Sequence, residues 1–144
     1  PTSTIFIVGG IFPLSKALVS SGAAEYLVNA ISPVLSNLPP IILLGAITFL
    51  MLLTTQFLMN SSATVLVLPI AIMLCQAAGI NPLAGAMSVS VCASGAFVTP
   101  FGTAPNLLVW EAGGYSVKDY LKCGFPMLII FGVVTTALCA VFYL

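Results

Sequence analysis

Residues 54–70 read TTQFLMNSSATVLVLPI, which places a polar cluster at 59–64 between two apolar runs. Two interpretations of 41–78 are open. Either two ordinary membrane crossings are joined by a surface loop, or a re-entrant hairpin holds its polar tip inside the membrane. Each arm of about 16–18 residues would reach roughly 24–27 Å as a helix, slightly short of a full crossing. The tip carries no charged residue, unlike a typical solvent-exposed loop.

A second polar stretch, TPFGTAPN at 99–106, follows an apolar run at 83–98 that is rich in small residues. Small residues allow membrane helices to approach each other closely. Two prolines and a glycine exclude a regular helix through the polar stretch. The sequence therefore predicts one broken helix over 83–110 that is unwound at 99–106. Such a break is tolerated in a membrane only where protein or a watery cavity satisfies the backbone.

The rest of the chain predicts three further helices. We expect a membrane helix at 4–19, an interfacial or packed helix at 23–35, and a final membrane helix at 125–144. Neither end of the chain has the features of a natural terminus, so we expect 1–144 to be a fragment. The predicted fold class is an all-α, multi-pass membrane protein.

Composition excludes several classes of function. Hydrophobic residues make up 60% and charged residues 4% of the chain, and the mean hydropathy is +1.23, whereas a soluble domain carries about a quarter charged residues. The net charge is zero, so nucleic-acid binding has no electrostatic basis. The chain has no histidine, which removes Ser-His and Cys-His catalysis, and we expect no enzymatic activity. The four cysteines are interpreted as packing residues, namely Cys75, Cys92, Cys123 and Cys139.

The two polar stretches offer neutral oxygen atoms and free backbone groups at helix ends. A helix N-terminus attracts anions, and the carbonyl oxygens of a helix C-terminus suit a sodium ion. Discontinuous helices of this kind mark the central site of many secondary carriers. The alternative is that the Ser, Asn and Thr residues simply cap helix ends.

Residues 55–63, TQFLMNSSA, with Leu-Pro-Ile at 68–70, resemble the second hairpin signature of the divalent anion/sodium symporter family. That signature runs roughly Thr-Glu-Phe, Ser-Asn-Thr and Leu-Pro-Ile, and the family carries dicarboxylates, citrate and sulfate. Residues 97–106, FVTPFGTAPN, are similar to the unwound loop of the family. With the alignment anchored on Pro69, three residues depart from the pattern: Met59 replaces the first Ser, Gln56 replaces the Glu, and Ala104 replaces the first Pro of a pair. A register shift by one residue would instead align Asn60, Ser61 and Ser62 with the Ser-Asn-Thr triplet.

The resemblance implies an inverted-repeat carrier in which each repeat has one re-entrant hairpin and one broken helix. This chain would be the second repeat and would require the missing first repeat. The resemblance also implies a homodimer with an elevator-type mechanism, in which the hairpin domain moves against a dimeric scaffold. The resemblance assigns anion binding to Asn60, Ser61, Ser62 and Thr103. It assigns sodium binding, partly through backbone oxygens, to Asn60, Ser61, Thr99, Pro100, Gly102, Thr103 and Asn106.

The predicted function is secondary active transport of a small anion, either a dicarboxylate, citrate or sulfate, across the cell membrane with sodium coupling. Sodium is the expected ion, and no organic cofactor is expected. One alternative is a proton-coupled or antiporter-like carrier of the same fold group. The lack of a membrane-embedded carboxylate in this half argues against a proton relay. A second alternative is a membrane sensor that does not transport.

Overall fold

Seven α-helices and no strand form the residues that the computed structural model describes, 2–35 and 37–144. The all-α class is therefore confirmed for this part of the chain. The helices are α1 (Thr2–Ser20), α2 (Ala23–Leu35), α3 (Pro40–Thr55), α4 (Asn60–Ala77), α5 (Pro82–Cys92), α6 (Ala104–Gly113) and α7 (Val117–Tyr143).

Helices α3 and α4 form a hairpin whose turn covers residues 56–59. The tip expected at 59–64 is thus displaced, because 60–64 form the first turn of α4. Two backbone bonds tighten the end of α3, from the N–H of Gln56 to the Leu53 carbonyl at 3.2 Å and from the N–H of Phe57 to the Thr54 carbonyl at 3.2 Å. Asn and Ser are favoured where a helix begins, so they start α4 and do not form the loop.

The interruption between α5 and α6 covers residues 93–103, earlier than the predicted unwound stretch at 99–106. This segment packs closely on α3, since a Cβ on Gly95 would overlap Leu52. Residues 104–106 are helical because Pro105 lies in the first turn of α6, where its missing N–H has no intrahelical acceptor to lose.

Helix α7 begins at Val117, eight residues before the predicted start at 125. The backbone N–H and the Oγ of Ser116 both donate to Asp119 Oδ2, at 2.8 and 2.7 Å, and this local bonding fixes the start of the helix. Helix α2 has the predicted bounds, and α1 is longer than the predicted 4–19 by two residues at its N-terminus and by one at its C-terminus.

The core lies where α3, α4, α5 and α7 meet, while α1 and α2 pack against α4. Small residues bring these helices close together. A Cβ on Gly85 of α5 would lie 2.7 Å from Cys75 Sγ and 3.2 Å from the Ala71 carbonyl oxygen of α4. Cys75, Cys92 and Cys139 are buried free thiols that fit the packing interpretation, whereas Cys123 is exposed.

Two helices in the described residues, Asn60–Ala77 and Val117–Tyr143, are long and apolar enough to cross a membrane. Helix α3 has 16 residues and is apolar, but it would reach only about 24 Å against a hydrocarbon core of about 30 Å. Large apolar side chains are also exposed along α7, among them Ile130, Val133 and Val141. Such a surface suits a lipid or protein environment in a membrane.

Candidate functional site

A cavity of about 390 Å³ lies between the start of α4 and the start of α6. The two polar stretches singled out in the sequence therefore face each other across one space. The residues that line this central cavity are Met59, Asn60, Ser61, Phe101, Gly102, Thr103, Ala104, Pro105 and Leu107.

Helix α4 begins at this cavity with open backbone donors. Its N-cap residue, Met59, makes no side-chain capping bond within the described chain. The first intrahelical bond runs from the N–H of Ala63 to the Met59 carbonyl at 2.9 Å. Helix geometry therefore leaves the N–H groups of Asn60, Ser61 and Ser62 without acceptors inside the helix. The positive end of the helix dipole lies at the same point.

Helix α6 begins at the same cavity in a similar way. Its N-cap residue, Thr103, has extended backbone angles, φ −141° and ψ 153°, and among the described residues its side chain makes no capping bond. The first intrahelical bond joins the N–H of Leu107 to the Thr103 carbonyl at 3.2 Å. Pro105 has no N–H, so α6 offers fewer donors than α4 but adds a second helix dipole.

The C-terminal ends of α3 and α5 also meet beside the cavity. Thr55 Oγ1, at the end of α3, lies 2.9 Å from the carbonyl oxygen of Ala93, which follows α5. The same hydroxyl lies 3.1 Å from Asn60 Oδ1 at the start of α4. Because a hydroxyl has one proton, it serves these two oxygens in turn or shares it between them. Thr55 thus joins three helix ends.

Gln56 links the hairpin turn to the interruption between α5 and α6. Its side chain is only 3% exposed. Nε2 donates to the carbonyl oxygens of Leu52 and Gly95, each at 2.8 Å, and Oε1 accepts from the N–H of Val98 at 3.0 Å. The main-chain carbonyl of Gln56 accepts from Thr99 Oγ1 at 2.8 Å. Every hydrogen-bonding atom of the side-chain amide is used.

Asn106, in the first turn of α6, is hydrogen-bonded to the segment between α5 and α6. Its Nδ2 donates to the carbonyl oxygens of Ala96 at 2.6 Å and Thr99 at 3.2 Å. Its own carbonyl accepts from the hydroxyl of Tyr120 on α7 at 2.9 Å. The Asn106 side chain therefore folds back onto residues 93–103, and Asn106 is not among the residues that line the central cavity.

The residues predicted to bind the anion or sodium fall into two groups, and their binding roles stay predictions. Four line the central cavity: Asn60, Ser61, Gly102 and Thr103. Four others are not among its lining residues: Ser62, Thr99, Pro100 and Asn106. Sequence reasoning did not assign a role to Thr55 or Gln56. Their signal was that both are polar residues at the end of an otherwise apolar run.

The lining of the central cavity is neutral, since it contains no Asp, Glu, Lys or Arg. Residues 2–35 and 37–144 also contain no group of His, Cys, Asp or Glu able to hold a metal ion. The lining residues of this cavity therefore offer hydrogen-bonding groups and helix dipoles but no charged side chain. Two helix N-termini favour an anion, and adjacent carbonyl ends favour a small cation.

Comparison with known proteins covers the whole chain. A family model described as the sodium:sulfate symporter transmembrane region matches residues 1–144. An uncharacterized transporter of Synechocystis is 32% identical over 139 residues, which are 96% of this chain and 23% of that protein. Mouse solute carrier family 13 member 2 is 33% identical over 138 residues, again 96% of this chain and 23% of the relative.

The rat Na(+)/citrate cotransporter is 32% identical over 130 residues, which are 90% of this chain and 23% of that protein. The chain thus spans less than a quarter of the length of these three relatives. Their names describe transporters, in agreement with the prediction that the chain has no enzymatic activity. The membrane location predicted from composition is confirmed by the family match together with the two long apolar helices.

Proposed function

The chain belongs to the sodium:sulfate symporter family, and on that premise we propose that it forms the anion-binding half of a secondary carrier. The observation that carries the proposal is the meeting of two helix N-termini, those of α4 and α6, at one neutral cavity. A dicarboxylate, citrate or sulfate would accept hydrogen bonds from the backbone N–H groups of Asn60 and Ser61. Their side chains and that of Thr103 would supply further polar contacts.

The opposite helix ends support sodium coupling as part of this proposal. The C-termini of α3 and α5 bring carbonyl oxygens close to the anion position, and the Thr55 hydroxyl joins them. A co-transported sodium ion at this position would lower the repulsion that a doubly charged anion meets on entering the membrane. Sodium would thereby be bound most tightly when the anion is present, which is the requirement for symport.

The arrangement in the membrane is part of the same proposal. We propose that α3 and α4 form a re-entrant hairpin whose turn at 56–59 lies inside the membrane, because α3 is short for a crossing. The pair α5 and α6 would be one broken helix. The first repeat, elevator motion and a homodimer are carried over from the family resemblance.

The test is uptake of labelled succinate, citrate and sulfate into proteoliposomes that contain the complete polypeptide, with and without sodium. Asn60→Ala removes an amide at the central cavity, and Asn29→Ala is the matched control on the exposed surface of α2. A hydrogen bond to a charged group contributes about 1.5–3 kcal/mol, so Asn60→Ala should weaken affinity by about 10- to 150-fold. Asn29→Ala should leave the affinity unchanged.

Three results would contradict the proposal in different ways. Sodium-dependent uptake that is indifferent to Asn60→Ala would place the anion site elsewhere. Uptake driven by a proton gradient and not by sodium would favour the proton-coupled alternative. A folded protein that takes up none of the three anions would refute anion symport and favour the sensor.

A further inference from the structure

Gln56 stands between the two walls of the central cavity without lining it. One wall, Met59 to Ser61, follows directly from the turn that contains Gln56. The other wall, 101–105, comes directly after Gly95 and Val98 in the chain, and the Gln56 side chain is hydrogen-bonded to the backbone of both residues. The distance between the walls is therefore set by the Gln56 amide together with the hydroxyls of Thr55 and Thr99.

The bonding pattern at this position requires an amide. Two carbonyl oxygens, of Leu52 and Gly95, each need a donor, and one N–H, of Val98, needs an acceptor. A primary amide supplies two donors and one acceptor oxygen. A carboxylic acid supplies one donor, and a carboxylate supplies none. An ionised carboxylate here would face two carbonyl oxygens at hydrogen-bond distance and would repel both.

Apolar contacts also hold residues 93–103 against α3, and the Gln56 amide supplies two of the hydrogen bonds to this segment, beside those of Thr55 and Thr99. Gly95 packs against Leu52 so closely that a Cβ there would overlap the leucine. Phe97 stacks edge-on against Phe131 of α7, with ring centroids 5.3 Å apart. Apolar contacts are non-directional, so they permit sliding of the segment along α3. Directional hydrogen bonds remove that freedom.

We propose that Gln56 is a positioning residue that holds the N-termini of α4 and α6 at the spacing required for one anion to contact both. This inference rests on the proposed function.

The first test uses Gln56→Glu, with Gln76→Glu as the matched control on the exposed end of α4. At acid pH the new side chain is protonated and retains one donor and one acceptor. At alkaline pH it is ionised and loses both donors. Sodium-dependent uptake by Gln56→Glu, divided by that of the wild type at each pH, should fall by about tenfold or more from about pH 5 to about pH 9.

Titratable groups near Gln56 do not supply this dependence in the wild type. The apolar cavity beside Gln56 is lined by residues of α3, the α3–α4 turn, 93–103 and α7, and none of those lining residues is titratable. On α7, Lys118 and Lys122 line a different cavity, and Asp119 bonds to Ser116. Cys92 is the last residue of α5 and is buried. The ratio for Gln76→Glu should therefore stay constant across the same pH range.

The second test does not depend on transport. Gln56→Leu removes the acceptor of the Val98 N–H, so hydrogen–deuterium exchange within residues 93–103 should become about tenfold faster or more. Gln76→Leu should leave it unchanged. In uptake, Gln56→Leu should raise the KM for the anion by about tenfold or more with a smaller change in the maximal rate.

The outcomes separate this inference from the proposed function. Suppose that the wild type takes up the anion, that the uptake of Gln56→Glu relative to the wild type does not change with pH, and that Gln56→Leu has an unchanged KM. This result would overturn the positioning role of Gln56 without contradicting anion symport. Unchanged exchange in Gln56→Leu would overturn it whatever the uptake result. A wild type without anion uptake would refute the proposed function, and the exchange measurement would then decide whether Gln56 holds the two walls together.

Discussion

Replacing Gly102 with alanine adds one methyl group at the wall of the central cavity. The new Cβ would lie 2.9 Å from Ala96 Cβ and 2.9 Å from Thr99 Oγ1. Both distances are below 3.0 Å, closer than real Cβ atoms approach their neighbours. Neither neighbour can yield easily, because Ala96 is 3% exposed and Thr99 Oγ1 is held at 2.8 Å by the Gln56 carbonyl.

The cost can be worked from these contacts. Overpacking by one methyl group costs about 1–3 kcal/mol, and breaking the Thr99 hydrogen bond to relieve it costs about 1 kcal/mol. We expect the free energy of unfolding to fall by about 1–3 kcal/mol. If the wall moves outward to relieve the overlap, the same strain should weaken anion affinity by about 5- to 150-fold in the proposed carrier.

The assay compares two alanine substitutions in the complete polypeptide. Gly10→Ala is the matched control, because among the described residues nothing lies within 4 Å of a Cβ at this helical position. Removing a glycine from a helix interior should stabilise the protein by about 1 kcal/mol. Thermal unfolding in detergent measures stability, and the KM for sodium-dependent uptake measures affinity.

The results for Gly102→Ala distinguish two errors. An unfolding midpoint and a KM that both match the wild type would refute the packing argument itself. A lower midpoint with an unchanged KM would mean that this wall is packed as described but does not contact the anion.

Two further substitutions test the helix packing and the start of α7. Gly85→Ala should lower the free energy of unfolding by about 1–3 kcal/mol, because its Cβ would lie 2.7 Å from Cys75 Sγ, whereas Gly9→Ala should not lower it. Equal unfolding midpoints for the two variants would contradict the close α4–α5 contact. Ser116→Ala should cost about 1 kcal/mol by removing a hydroxyl bonded to Asp119 at 2.7 Å. A midpoint within error of the wild type would mean that this bond does not stabilise α7.

The membrane class and the family could be predicted because both depend on composition and on the order of residues, which can be read without a structure. Sixty per cent hydrophobic residues and 4% charged residues are a property of the whole chain. The motifs at 55–63 and 97–106 carry the family resemblance in their order of residues. The helix at 23–35 was predicted with the bounds that the structure has, since its apolar residues recur at helical spacing.

The role of Gln56 could not be predicted because its partners are remote in sequence. Gly95 lies 39 positions away, and Val98 lies 42. In the sequence, Gln56 was only a departure from the Glu of the family signature. Which groups a buried amide meets depends on how the segment after α5 packs on α3, and no local pattern contains that information.

The displaced boundary at the hairpin tip changes the chemistry of the candidate site. Had Asn60, Ser61 and Ser62 formed a loop, they would offer mainly side chains whose directions vary. As the first turn of an 18-residue helix, they offer backbone N–H groups that all point along the helix axis. This difference bears on the replacement of Ser by Met59, because backbone N–H groups remain when a side chain changes. In the proposed carrier, the loss of that hydroxyl should therefore alter which anion is preferred more than whether an anion binds.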